Sequence, residues 1–184
     1  MRVRILCEDR LSERFLRRLC ELNGIEVLDT EVAPKGGGSA SQWVAVQYPR
    51  MVKQRRSQNF QTNLGVLVHI DGDQVGVQAR KATLDGRLQA MNLAPRGAAE
   101  TVATLVPTWC TETWLLHLTG IAQPPETCQL KRGPDRATYQ AALNQLEALG
   151  AAGHRQAAEA WSSLNPAPPS LLDGRTEAAR VGIH

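Results

Sequence analysis

Three carboxylates stand where short apolar runs stop. Glu8 closes Ile5-Leu6-Cys7, and Asp71 and Asp73, separated by Gly72, close Leu64-Gly65-Val66-Leu67-Val68-His69-Ile70. Carboxylates gathered at one point repel each other unless a cation lies among them, and hard oxygen donors select magnesium, manganese or calcium. Bound magnesium or manganese polarises a phosphate and activates a water for attack. Taken singly, Asp-Gly-Asp also suits a turn, because Asp side chains bond their own backbone. The joint placement of the three acids is what points to a metal site, provided that the two runs are neighbouring strands.

The elements around these acids make that arrangement plausible. Arg2 to Cys7 alternates and then becomes apolar, as a first strand does. Ser12 is positioned to cap a following helix in which Phe15, Leu16, Leu19, Cys20 and Leu22 recur at helical spacing, and Asn23-Gly24 stops it. Ile25 to Val32 reads as a second strand, completing a βαβ unit. The stretch from Leu64 is apolar on both faces, as a central parallel strand is. Helices are expected over about residues 42–56, where Pro49 must bend or interrupt the chain, and over about 76–91. Thr101 to Val106 is a further strand, stopped by Pro107. The expected fold is α/β: a mainly parallel sheet flanked by helices over residues 1–107, with a helical extension over 108–184 packed on it and ending in a loose tail. In an open parallel sheet, ligands bind just outside the carboxyl ends of the strands, where the strand order reverses. Glu8, Asp71 and Asp73 are all at such ends.

Composition mainly excludes. The chain of 184 residues carries 21 Lys+Arg against 18 Asp+Glu, a net charge of +3 that does not by itself announce nucleic acid. No apolar run reaches the roughly 18–20 residues needed to cross a bilayer. Acidic charge arrives too early for a signal peptide, so a cytoplasmic protein is expected. Cys7, Cys20, Cys110 and Cys128 show no zinc-site spacing and read as buried or idle thiols. His69 and His117 read as local or core histidines.

The order of motifs resembles the TOPRIM fold, and within it the domain of overcoming-lysogenization-defect nucleases and small stand-alone TOPRIM-like proteins of bacterial defence loci. The resemblance rests on Ile5-Leu6-Cys7-Glu8-Asp9 running into Ser12-Glu13-Arg14-Phe15-Leu16, then Lys35-Gly36-Gly37-Gly38-Ser39, Gln42-Trp43-Val44 and Tyr48-Pro49. It continues with Asp71-Gly72-Asp73 and with Val106-Pro107 before Glu112-Thr113-Trp114. Asp9 stands where the family usually has Gly. The resemblance implies that Glu8, Asp71 and Asp73 hold Mg2+ or Mn2+ and that Glu13 holds a second ion. Glu112 would be a further ligand or would orient one. Against these, Glu13 also suits an i,i+4 pair with Arg17, and an acid in the first turn of a helix is favoured by the dipole alone.

Phosphoryl chemistry also needs cations on the substrate. Lys35, beside its glycines, is a candidate phosphate contact, although the loop is not a P-loop. Arg50, Lys53, Arg55, Arg56, Lys131 and Arg132 are candidates for tracking a nucleic-acid backbone. The expected function is therefore a metal-dependent nuclease acting on DNA or RNA, in phage defence. Lys35 or Lys131 would neutralise the developing charge, and a homodimer is possible. Eight aromatic residues offer no stacking platform, so recognition would lean on phosphates. An alternative is an effector or regulatory module activated by a partner ATPase, with Trp109, Trp114 and Trp161 as a contact surface. A phosphoacceptor receiver domain fits less well, because no Lys follows Val106-Pro107.

Overall fold

A computed structural model describes residues 1–36 and 38–184. Four strands, β1 (Arg2–Cys7), β2 (Glu26–Val32), β3 (Leu64–His69) and β4 (Val102–Leu105), pair in parallel in the order β2-β1-β3-β4. The chain thus starts in the middle, moves outward to β2, crosses back over β1 to β3, and continues to β4. The reversal of strand order falls between β1 and β3, which pair in register from Arg2↔Leu64 to Cys7↔His69. The carboxyl ends of the two acid-bearing strands therefore lie side by side, at the switch point where parallel sheets bind ligands.

Strand alternation splits the core in two. Val3, Ile5 and Cys7 on β1, with Leu67 on β3 and Ala103 and Leu105 on β4, face helix α1 (Arg10–Leu22). Leu6, Val66, Val68 and Val102 face helices α2 (Ala40–Ser57) and α3 (Gly76–Ala90). β3 is buried along its whole length, as its continuous apolar sequence requires. The α1 cap is Asp9 rather than Ser12: the Asp9 carboxylate accepts the Ser12 N–H at 2.8 Å. Helix α2 runs unbroken past Pro49, which is buried within it.

The helical extension comprises α4 (Thr111–Thr119), α5 (Gly133–Thr138), α6 (Gln140–Leu149), α7 (Ala151–Glu159) and α8 (Pro169–Ala178), followed by a single 3-10 turn at Ala179–Val181. Tyr139 separates α5 from α6, and Gly150, at φ +50°, separates α6 from α7. These helices complete the core on the α1 side. Trp161 packs edge-on to both Phe15 and Trp114, with ring centroids 5.9 and 5.8 Å apart. The Trp114 indole N–H donates to Ser170 Oγ at 2.7 Å. Trp114 and Trp161 are thus core residues rather than a partner surface, and Trp109 is half-buried. The tail is also packed rather than loose: Val181 and Ile183 are 0% exposed. Cys7, Cys20 and Cys110 are buried and Cys128 is half-buried, all as free thiols.

Candidate functional site

The ends of β1 and β3 are tied together by the acids themselves. Glu8 Oε1 accepts the backbone N–H of Asp71 at 2.7 Å. Asp71 Oδ1 accepts the N–H of Thr111 at 3.1 Å, at the first turn of α4, and the Thr111 hydroxyl at 3.2 Å. That helix start favours a negative charge. The Thr111 and Ser12 hydroxyls lie 2.9 Å apart, and Ser12 donates to Asp9 at 2.9 Å, so a polar chain joins the α1 cap to the Asp71 carboxylate. Asp71 is 1% exposed and Glu8 7%.

Asp73 is held by backbone constraint. It adopts φ +47°, and its N–H donates to the carbonyl of Trp109, itself at φ +63°, at 3.0 Å. Non-glycine residues in this left-handed region carry strain that surrounding structure must impose. Between them, the Gly72 N–H donates to Pro107 at 2.9 Å, and a Cβ at Gly72 would lie 2.7 Å from that carbonyl oxygen. Only glycine permits this approach. Arg80 completes the clamp, donating to the Asp71 carbonyl at 2.9 Å and to Asp73 Oδ2 at 3.1 Å.

Lys131 enters from the segment between α4 and α5. Its ammonium is hydrogen-bonded to Asp71 Oδ2 and lies 3.9 Å from Asp73 Oδ1. Among the described residues, no three Asp, Glu, His or Cys side chains converge as a group able to hold a metal ion as they stand. The cations at these carboxylates are Lys131 and, on Asp73, Arg80.

The electrostatics show what the acids lack. Burial, reinforced by the Asp71 charge, pushes the Glu8 carboxyl up to about 8 despite the Asp71 N–H and Lys131. Burial and then Asp71 likewise raise Glu112. Burial opposes the charge on Lys131, but Asp71 outweighs it and holds the ammonium above its ordinary range. Burial depresses His69, and neither of its ring nitrogens has a hydrogen-bond partner among the described residues.

The other candidates divide by location. Glu13 is gripped by Arg10 at 2.5 Å and Arg17 at 3.1 Å, and the second is the i,i+4 pair. Lys35 is exposed, and the glycine loop beside it includes Gly37, which lies outside the described residues. Arg50 pairs with Glu31 on β2, and Lys53 is exposed. Arg55 donates to Thr101 at 2.9 Å, and Arg56 binds Glu100 through two nitrogens at 2.6 and 3.0 Å. These last two mark the amino-terminal edge of β4, the opposite end of the sheet from Glu8. Arg55 and Arg56, two of the candidates for tracking a nucleic-acid backbone, therefore lie away from the carboxylates.

Two cavities flank Lys131. One, of about 360 Å³, is lined by Leu11, Arg14, Glu112, Arg136, Leu143 and His154 among others. The second, of about 390 Å³, is lined by Asp73, Gln74, Trp109, Gln129 and Arg132. Arg14 and Arg136 were missed in the sequence. The first sits on the exposed face of a clearly amphipathic helix and the second in a segment with no periodic signal. No known family model, no curated protein and no solved structure matches the chain.

Proposed function

We propose that the chain is a Mg2+- or Mn2+-dependent hydrolase of phosphodiester bonds in DNA or RNA, built on a TOPRIM-like sheet. The observation that carries this reading is that Glu8 at the end of β1 accepts the Asp71 N–H at the end of the adjacent β3, while Asp71 and Asp73 both face the Lys131 ammonium. The donor set suits a hard divalent ion. One oxygen of Glu8 is taken by a backbone N–H and one of Asp71 by Thr111, while Asp71 Oδ2 and Asp73 Oδ1 face the Lys131 ammonium. With the lysine turned away, Glu8, Asp71 and Asp73 would hold the ion, with Glu112 behind them. The ion would supply Lewis acidity at the phosphate and an activated water.

The chain's own groups do the rest. Lys131, 43% exposed at its side chain, is free on one side to neutralise charge building on the phosphate oxygens. The strained Asp73–Trp109 clamp fixes the acid before substrate arrives, so little reorganisation is needed. A Lys–Asp contact also occurs in the phosphoacceptor reading. That reading is disfavoured here because Asp71 is nearly inaccessible and one of its oxygens is held by Thr111. A setting in phage defence, alone or beside a partner ATPase, comes with the sequence resemblance and not with the geometry.

The test is cleavage of labelled DNA and RNA in Mn2+. Asp71→Ala and Glu8→Ala are expected to abolish cleavage per folded molecule, and Asp71→Ala also lowers the melting temperature, because Lys131 loses its countercharge and the Thr111 N–H its acceptor. Full activity in either variant overturns the assignment of that acid.

A further inference from the structure

Three neighbouring hollows adjoin one another through shared lining residues. A third hollow, of about 400 Å³, is lined by Arg14, Arg17, Arg18, Glu21, Ala151 and His154. It shares Arg14 and His154 with the cavity of about 360 Å³, which shares Lys131 with the cavity beyond. Together they are lined from α1, α6 and α7, by Glu112 and Lys131 in the middle, and by Asp73, Trp109 and Arg132 at the far side, and they are called the groove below.

The cations lining these hollows are of two kinds, of which Arg17, Arg18 and Lys131 are paired with Glu13, Glu21 and Asp71. Arg14, Arg132 and Arg136 are exposed and form no ion pair with any described residue. By contrast, Arg50 and Arg56 are matched to Glu31 and Glu100. A series of unmatched cations along a groove suits a chain of phosphates. The middle cavity is different in kind. Leu11, Leu130, Leu143 and Leu146 make apolar walls, while Gln140 donates to Asn144 at 2.7 Å and leaves the remaining amide groups at the rim. Apolar faces with amide edges are what an extruded base meets in enzymes that act on unstacked nucleotides. On the far side of Lys131, Trp109 offers a ring in a wall whose other residues are polar apart from Val75.

We infer that this groove binds a single strand of nucleic acid, with one unstacked nucleoside in the leucine-walled cavity and neighbouring phosphates along Arg14, Arg136 and Arg132. The inference rests on the hydrolase reading only in placing the reacting phosphate at Lys131. Glu8 and Asp71 lie in a recess, 7% and 1% exposed. A duplex keeps its bases stacked and its phosphates on the outside of a stiff rod, whereas a single strand can bend a phosphate inward between two unstacked nucleosides.

The experiment measures binding by fluorescence anisotropy in EDTA, so that no cleavage occurs. The probes are labelled single-stranded and double-stranded DNA and RNA of about 20 nucleotides, longer than the ~4–16 that one strand-binding fold covers. Single strands are expected to bind about tenfold or more tightly than duplexes, and the DNA and RNA arms identify the sugar preferred. Arg14→Ala and Arg136→Ala should each weaken strand binding and reduce the salt slope by about 0.7. Leu143→Trp fills the middle cavity without removing charge and should also weaken binding, in protein whose melting matches wild type. Arg87→Ala, on α3 across the sheet, should bind as wild type. Equal or tighter duplex binding, or arginine variants that bind unchanged, overturns the inference. Cleavage in Mn2+ with duplex preference would leave the hydrolase standing without the strand groove, and strand binding without cleavage would do the reverse.

Discussion

Two glutamates of this protein are almost equally buried, Glu8 at 7% and Glu177 at 6% exposure, and their surroundings are opposites. Glu177, on α8, binds Arg96 through both oxygens, accepts the backbone N–H of Thr104 at 3.1 Å, and has Lys81 and Arg180 within 3.5 Å. Burial would raise its carboxyl, but the Arg96 hydrogen bonds and charge prevail and hold it below the ordinary carboxylate range. Glu8 has one backbone donor and an adjacent Asp71, and it is raised instead. A buried acid surrounded by cations fastens α8 to α3 and β4. A buried acid beside a second acid is a place that still wants positive charge, which is the mark of a binding site more than of a structural pin.

The contrast can be broken most forcefully at Glu177. Glu177→Gln leaves Arg96 buried without its countercharge and should cost about 3–5 kcal/mol in urea unfolding. Cleavage per folded molecule should be unchanged; if stability is unaffected, the cluster is not the pin described. The wild-type contribution has a defined pH window. Because the folded carboxyl lies below its ordinary 4.5, the stabilisation is present above that value and fades as pH falls through the folded value.

Metal linkage sharpens the other side. Mn2+ at about 100 times its dissociation constant should stabilise wild type by about 2.7 kcal/mol, and Glu177→Gln by the same increment. Asp71→Asn should abolish the increment. A calorimetric scan in which Asp71→Asn responds like wild type would place the ion elsewhere.

The smallest expected effect is the pH dependence at Glu8, measured in EDTA. Its folded value, about 8, lies above the ordinary 4.5, so its contribution is fully present below 4.5 and is lost as pH rises to about 8. Glu8→Gln should therefore melt higher than wild type at pH 8, by a few degrees for roughly 1 kcal/mol in a chain of this size. The difference should vanish in acid, and Mn2+ should narrow it. A constant offset across pH would mean that Glu8 is not raised.

Local pattern carried the sheet and the pairing of its acids. The unbroken apolar run from Leu64 to Ile70 can only be a strand buried on both faces, and a βαβ start makes β1 its neighbour. What the pattern could not carry is everything brought in by return of the chain. Lys131 reaches Asp71 across 60 residues and Glu177 reaches Thr104 across 73, through loops with no periodicity. Asp9 replaced Ser12 as the α1 cap because either type suits the position and only backbone geometry decides. Arg55 and Arg56 looked like nucleic-acid contacts because a cluster of charge in sequence does not state which end of a helix faces the site. Arg14, isolated in sequence, lies beside Arg136 only because α6 and α7 fold back over α1.

The packing of residues 181–183 has a consequence for synthesis. A Cβ at Gly65, in the middle strand, would lie 2.8 Å from Val181 Cγ1, so the last turn seals the face of the sheet that the first turns began. An emerging chain can pair β1 with β3 early, yet that layer of the interior stays open to water until residues 181–183 have left the ribosome. Val181 and Gly65 meet at the amino-terminal end of β3, the end opposite Glu8, so a nascent polypeptide stalled before residue 181 can gather the acid-bearing strand ends while the other end of that layer stays wet.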